Sequence, residues 1–239
     1  VAGVMHFHCG RIPKLAAADG WRWKILKKAV KAASATVVLD EESYQVLRSN
    51  GFGNVYKIAN PLSCEMLDNI DRLGREVVRV PRRLLYVGHV IPTKGVYELV
   101  EACTAIPDVE LRLLGRVEDG VKGDLERMAS AKSGEWMKLL GEKGHDDVLR
   151  EMLSCDLFVF PSYTEGFPNV ILEAMACGAP IITTGVGAIP EILDEGTDSQ
   201  CGVIVPVKDV KALKEAIGDL ICDSLMKKNL ICLFLFLLR

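Results

Sequence analysis

The 239-residue chain is 49% apolar and 26% charged, with a formal net charge of −3 at pH 7. These proportions suit a globular chain that can bury a core, and the slightly acidic balance excludes nucleic-acid binding driven by overall charge. The eight cysteines show no C-x-x-C spacing, which speaks against a zinc site or disulfide framework and for reduced, buried thiols in a cytoplasmic protein.

In chain order, the first 60 residues read as α/β: a strand at 4–8, a Trp- and Lys-rich helix near 20–33, a strand at 36–40, a helix at 41–50 and a strand at 54–58. Residues 1–35 hold Arg11, Lys14, Arg22, Lys24, Lys27, Lys28 and Lys31 against Asp19 alone. Such a basic segment suits phosphate groups or an anionic membrane surface, and equally a solvated helix face. Trp21 and Trp23 fit peripheral docking at a membrane or packing against a second lobe. The start has neither the charged region nor the long apolar stretch of a signal peptide. Asn60-Pro61 then breaks the pattern, and residues 63–80, which end in a charged stretch, are expected to be a linker.

From Leu84 onward short apolar runs alternate with amphipathic ones. Strands are expected at 84–88, 111–115, 136–140, 157–161, 180–184 and 202–206, and helices near 93–105, 119–131, 145–153, 169–177, 187–194 and 208–221. This alternation implies a parallel sheet covered on both faces. In such sheets ligands bind beyond the carboxyl ends of the strands. The C-terminal LICLFLFLLR has no helical or strand periodicity and falls short of the roughly 20 residues a bilayer span needs. It is expected to be a truncation or reading-frame artefact, with a membrane-dipping tail as the alternative.

The densest group of candidate residues lies in PSYTEGFPNVILEAMACGAPIITTGVGAIPEIL, 161–193. Glu165 follows a strand end, and Gly166, Phe167, Pro168 and Asn169 form a turn. Asn169 suits the N-cap of the following helix and Gly178 its C-terminal stop. A turn of this kind aims free N–H groups outward at a helix start, a site for a phosphate or diphosphate. Glu173 lies one helical turn deeper on the same face. Carboxylates repel a phosphate but accept hydrogen bonds from vicinal hydroxyls. A diphosphate with a diol at each end is a nucleoside-diphosphate sugar. Singly, each glutamate also reads as an ordinary loop or helix carboxylate.

A second turn lies in YVGHVIPTKG, 86–95. Gly88 closes a strand, and Lys94 opens the next helix, where a cation opposes the helix dipole and so favours a ligand role over a merely solvated lysine. His89 suits a phosphate donor or a packing residue. The turns that hold Arg116 (LLGR) and Gly141 (LLGEKG) are weaker signals, places where backbone groups suit a nucleobase. GVGAIPEIL, with Glu191, is a further Gly-rich turn. The glycine spacing of a nicotinamide dehydrogenase is absent, and GRVEDGV lacks the Lys-Ser/Thr of a P-loop.

Two segments, E-G-F-P-N-V-I-L-E-A-M-A-C-G-A-P-I-I and V-G-H-V-I-P-T-K-G, carry a resemblance. Over about residues 4–222 the chain resembles the retaining glycosyltransferases of family 4, the group 1 class with the two-lobed GT-B fold. The resemblance implies a Rossmann-like, doubly wound donor domain at 81–222, a partial second Rossmann-like acceptor domain at 1–62, the linker at 63–80 and an atypical apolar tail at 223–239. It implies transfer of a sugar from a nucleoside-diphosphate sugar to a hydroxyl of a carbohydrate or lipid-linked acceptor, with retention and without a metal or other cofactor, in polysaccharide or glycolipid biosynthesis. The protein would be cytoplasmic or peripheral at the inner membrane face.

Carried over residue by residue, Glu165 would contact the donor sugar, Glu173 the ribose hydroxyls, the backbone from Phe167 to Val170 the diphosphate, and Lys94 the leaving group. His8, in HFHCG, would face the transferred sugar, or pack at a strand end. Family members usually have Arg at the position of His89, so Arg116 is a candidate substitute. The early glycine-rich turn of the acceptor lobe is absent from this chain. A fragment with weak donor binding and little transfer is therefore expected, and a non-catalytic sugar-nucleotide-binding subunit is the alternative.

Overall fold

The computed structural model describes residues 3–8, 10–223, 225–227 and 230. Cys9, Cys232 and the apolar run from residue 231 onward lie outside the described residues. Two compact units emerge. One comprises residues 1–61 with 165–169 and 186–191, and the other comprises 62–164, 170–185 and the residues from 192 onward.

The first unit contains β1 (Val4–His6), α1 (Ile12–Ala18), α2 (Trp21–Ala32), β2 (Ala35–Val38), α3 (Glu41–Ser49) and β3 (Val55–Lys57). The three strands pair in parallel in the order β1-β2-β3. Trp23, Leu26 and Val30 recur at helical spacing and put one face of α2 into a core with Ile12, Val38, Leu47 and Val55. Trp23 therefore packs inside its own unit. Asp40 caps α3, its Oδ1 accepting from the Ser43 N–H at 2.7 Å. The sequence reading missed α1, whose proline sits in the first turn, where no intrahelical donor is lost.

The second unit contains α4 (Cys64–Gly74), β4 (Arg83–Val87), a 3-10 turn (Pro92–Lys94), α5 (Val96–Thr104), β5 (Glu110–Leu114), α6 (Val121–Ala129), β6 (Met137–Gly141) and α7 (His145–Ser154). It continues with β7 (Leu157–Phe160), α8 (Asn169–Ala176), β8 (Ile181–Thr184), α9 (Ile189–Ile192), β9 (Val203–Val205) and α10 (Val210–Cys222). Two of these helices begin with residues assigned to the first unit. The sheet is parallel throughout, in the order β6-β5-β4-β7-β8-β9. This is the doubly wound order of a Rossmann sheet, with its reversal point between β4 and β7. β7 and β8 are buried along their whole length, as a sheet covered on both faces requires.

Three expectations need correction. Residues 63–80 hold an 11-residue helix rather than a plain linker. Ser63 caps it, its Oγ accepting from the Met66 N–H at 3.1 Å, and Asn69 and Glu76 bond to Asp146 and Arg150 of α7. The helix expected at 187–194 is reduced to Ile189–Ile192. Of the six described cysteines, Cys64 and Cys222 are exposed and four are buried.

Candidate functional site

The second unit gathers its polar turns at the carboxyl ends of β4, β5 and β6. The Gly88 N–H donates to Leu114 O and the Gly115 N–H to Gly141 O, each at 2.9 Å, which extends the ladder past the strand ends. Gly115 has a φ of +136°, and a Cβ there would lie 2.0 Å from the Gly88 carbonyl oxygen. Only glycine allows the two turns to meet so closely. The Tyr86 hydroxyl donates to His89 O at 2.8 Å and fixes the first turn. The result is a cavity of about 330 Å³ lined by Gly88, His89, Gly115, Arg116, Glu142 and Lys143 among others. Gly88, His89 and Arg116, three of the candidate residues, thus line one cavity. Gly141 supplies its carbonyl to the ladder, and the cavity wall beyond it is formed by Glu142 and Lys143, which carry no signal in the sequence beyond their place in the LLGEKG turn.

Lys94 stands in the 3-10 turn, two residues before the first residue of α5, rather than at the start of that helix. Pro92 and left-handed Gly95 break the helix there. A Cβ on Gly95 would lie 2.0 Å from Pro161 O, so this turn presses on the exit of β7. The half-buried Lys94 ammonium lies 5.7 Å from the centre of the Phe160 ring. The Tyr163 N–H donates to Thr93 O at 3.0 Å, tying the loop after β7 to the same turn.

Glu173 is partly buried on α8. Burial pushes its carboxyl above the usual range, and His145 at the start of α7 opposes that shift. A carboxylate so desolvated gains most from hydroxyl donors that replace the lost water.

In the first unit, the backbone of Glu165 and Gly166 passes between two glycines. A Cβ on Gly10 would lie 2.9 Å from both Glu165 O and Gly166 Cα, and one on Gly187 would lie 2.6 Å from both carbonyl oxygens. The Ala188 N–H donates to Gly166 O at 2.8 Å. Glu165 and Phe167 are half-buried and Pro168 is buried. Asn169 is the first residue of α8, and its Oδ1 accepts from Asn60 Nδ2 at 2.8 Å. Val170 follows within α8, in the second unit. Exposed His8 has its ring centre 4.0 Å from that of His6. Glu191 accepts from the Glu41 N–H and from Lys57, each at 2.8 Å. Lys57 is pushed up to about 12 by its bonds to Glu191 and Glu41.

Among the described residues, no cluster of three or more His, Cys, Asp or Glu side chains is arranged to hold a metal ion, and no helix is long and apolar enough to cross a membrane.

A family model described as "Glycosyl transferases group 1" matches residues 81–223. A glycosyltransferase of Methanocaldococcus jannaschii, described as uncharacterized, is 35% identical over 147 residues, which cover 61% of this chain and 40% of that protein. A putative teichuronic acid biosynthesis glycosyltransferase of Bacillus subtilis is 31% identical over 206 residues, covering 82% of this chain and 49% of that protein. The chain thus spans half or less of the length of these relatives. Among solved structures, Anabaena HepE in complex with UDP aligns with a TM-score of 0.78 at 21% identity, covering 98% of this chain and 67% of that one. At that identity the likeness is one of fold.

Proposed function

The chain belongs to the group 1 glycosyl transferases and has their GT-B type of α/β fold, and from that premise we propose that its protein transfers a sugar from a nucleoside-diphosphate sugar to a hydroxyl acceptor. The observation that carries the reading is the cavity at the ends of β4, β5 and β6. It opens at the carboxyl edge of the sheet, the edge at which doubly wound folds bind ligands, on the β5 and β6 side of the β4–β7 reversal point and within the residues that match the family.

In this proposal, Glu173 accepts hydrogen bonds from the ribose hydroxyls and Glu165 from those of the donor sugar. The backbone N–H groups of Phe167, Asn169 and Val170 bind the diphosphate at the start of α8. Pro168 has no N–H to offer. Lys94 neutralises charge on the leaving diphosphate, supported by Arg116 and by His89. His8 faces the transferred sugar. These cations let the reaction proceed without a metal or other cofactor. Transfer retains configuration: the leaving phosphate oxygen takes the proton of the acceptor hydroxyl, which attacks from the same face as the glycosidic bond breaks. The residues stabilise separating charge and hold acceptor and leaving group together on one face of the sugar. The relation to a teichuronic acid biosynthesis protein supports a polysaccharide or glycolipid acceptor.

Calorimetric titration with UDP-, GDP- and ADP-sugars tests the donor site. One nucleotide series should bind, and Glu173→Ala should weaken it at least about tenfold, the loss of a charge-assisted hydrogen-bond pair. Equal binding by the variant would remove Glu173 from the site. Proton NMR of the product distinguishes retention from inversion, and undiminished transfer in excess EDTA is expected. Donor binding without transfer to any hydroxyl acceptor would favour a non-catalytic sugar-nucleotide-binding subunit.

A further inference from the structure

We propose that Lys57 is a positioning residue for Glu165, acting through Glu191 and the segment 186–191 that carries it, a role that rests on the donor-site reading above. Glu41, Lys57, residues 165–169 and residues 186–191 all belong to the first unit. Every contact of the relay therefore lies within one compact body.

The relay starts in three side chains. Lys57, the last residue of β3, donates to Glu191 Oε1 at 2.8 Å and forms an ion pair with Glu41 Oε2 at 2.6 Å. The other Glu191 oxygen accepts from the Glu41 N–H at 2.8 Å, on the first residue of α3. That N–H is one of the donors a helix start leaves unpaired, and the helix dipole favours a carboxylate beside it. Asp40 takes the Ser43 N–H of the same turn. Glu191 is thus held by both oxygens, one on an ammonium and one on a helix end. Lys57 holds the Glu41 carboxyl below its ordinary range, with Gln45 adding to the effect. Two carboxylates that share one ammonium lie close together, and without it they repel. Ion pairs as exposed as these add little to global stability. Their effect is local: they fix where 186–191 lies.

From Glu191 the relay runs back to Gly187. The Ala188 N–H donates to Gly166 O at 2.8 Å. Gly187 is left-handed, with a φ of +60°, and a Cβ there would lie 2.6 Å from the carbonyl oxygens of both Glu165 and Gly166. Gly10 crowds the same two residues, at 2.9 Å from Glu165 O and Gly166 Cα. A backbone packed so closely moves only when its neighbours move. The direction of the Glu165 side chain therefore follows the position of 186–188, and that position follows Lys57. Asn169, at the diphosphate end of the proposed site, has a separate anchor in Asn60. Loosening 186–191 should thus disturb the sugar end of the site and spare the nucleotide end.

Amide exchange on the 239-residue chain tests the relay without a ligand. In Lys57→Met the Glu41 and Ala188 amides, whose acceptors are Glu191 and Gly166, should exchange about three- to tenfold faster, while amides in the middle of α10 keep the parent rate. Lys57→Arg should restore the parent rates. Adding Glu41→Gln to Lys57→Met removes the repulsion and should recover part of the protection. Calorimetry with UDP and UDP-glucose, GDP and GDP-mannose, and ADP and ADP-glucose then reads the site. For the pair that binds, Lys57→Met should raise the ratio of the nucleotide-sugar Kd to the bare-nucleotide Kd about three- to tenfold, and should change the bare-nucleotide Kd less than about twofold. Lys57→Arg should return the ratio to that of the parent. A lysine with a merely structural role would weaken both ligands alike. Unchanged exchange, an unchanged ratio, or equal weakening of both ligands overturns the inference and leaves the donor reading intact. A parent that binds none of the six ligands overturns the donor reading and this inference with it.

Discussion

The Tyr163 hydroxyl donates a hydrogen bond to the Glu98 carboxylate, and the second Glu98 oxygen is buried without a partner among the described residues. One bond therefore ties the loop after β7 to α5 and also satisfies half of a desolvated carboxylate. Burial, then Glu98 itself, raises the Tyr163 phenol above its ordinary range, so it stays a donor through alkaline pH. Tyr163→Phe should destabilise the protein by about 1–3 kcal/mol, the cost of leaving a buried acceptor unpaired. Denaturant unfolding at pH 7 measures this, and an unchanged midpoint would mean that the bond contributes nothing.

Gly115→Ala and Gly120→Ala form a matched pair. Both glycines have positive φ, +136° and +88°, but an added Cβ meets Gly88 O at 2.0 Å in the first case and nothing within 4 Å in the second. Gly120→Ala should cost only backbone strain, about 1 kcal/mol. Gly115→Ala should cost about 3 kcal/mol, because β4 and β5 must part. It should also weaken nucleotide binding, since the displaced atoms line the cavity. Equal costs would show that the close approach is not under constraint.

Glu173 should trade stability for binding. Its carboxyl is raised by burial, so its contribution to stability is full below the unfolded pKa and is lost as pH rises through the folded one. Once ionised, it is a charged group held in an unfavourable place. Glu173→Gln is therefore expected to stabilise the free protein by about 1 kcal/mol, the common gain from relaxing a functional site. The gain should shrink toward pH 4, and nucleotide-sugar affinity should fall. A variant less stable than the parent at pH 7 would mean that the glutamate is structural.

Glu110 behaves in the opposite way. Burial alone would raise its carboxyl, but hydrogen bonds from Lys138, Arg83 and Arg112 prevail and hold it at about 2. Its contribution is present above the ordinary carboxylate value of 4.5 and is lost as pH falls from there toward 2. Glu110→Gln should cost on the order of 2 kcal/mol at pH 7, with part of the Coulombic gain discounted for residual solvent. The cost should fade below pH 4. A difference between the two proteins that is the same at pH 3 and pH 7 would rule out this ionic origin.

Much of the second unit was legible in the sequence because its strands are buried on both faces. LLYV and LFVF read as continuous apolar runs and IITT as a β-branched one, and Gly88, Pro161 and neighbouring turn residues close them. What escaped was either masked or non-local. In α4 the spacing of Met66, Ile70 and Leu73 is helical, but Asn60-Pro61 before it and the charged DRLGRE that contains its last turn read as breaks. Pro190 and the brevity of α9 were hidden behind an apolar pattern that runs to Leu193. Trp21 and Trp23 look alike in sequence; the period set by Leu26 and Val30 assigns only Trp23 to the core. Gly10 and Gly187 owe their role to the Glu165–Gly166 backbone, and His145 owes its influence to Glu173. No local signal announces contacts between residues so far apart in the chain.

The sheet order also dictates a schedule. Leu84 of β4 pairs with Leu157 of β7, so the two central strands are separated by everything from α5 to α7. As the chain leaves the ribosome, β5 and β6 can add to one side of β4 in turn, while the other side of β4 waits with its N–H and C=O groups unpaired. Only when β7 emerges can growth restart in the opposite direction, through β8 to β9. The half-built sheet is thus an open template on one edge, the kind that invites pairing with another chain. Closing that long intervening loop is the slow, non-local step of folding. Lower temperature or slower translation should therefore raise the soluble yield more effectively than any substitution at the surface.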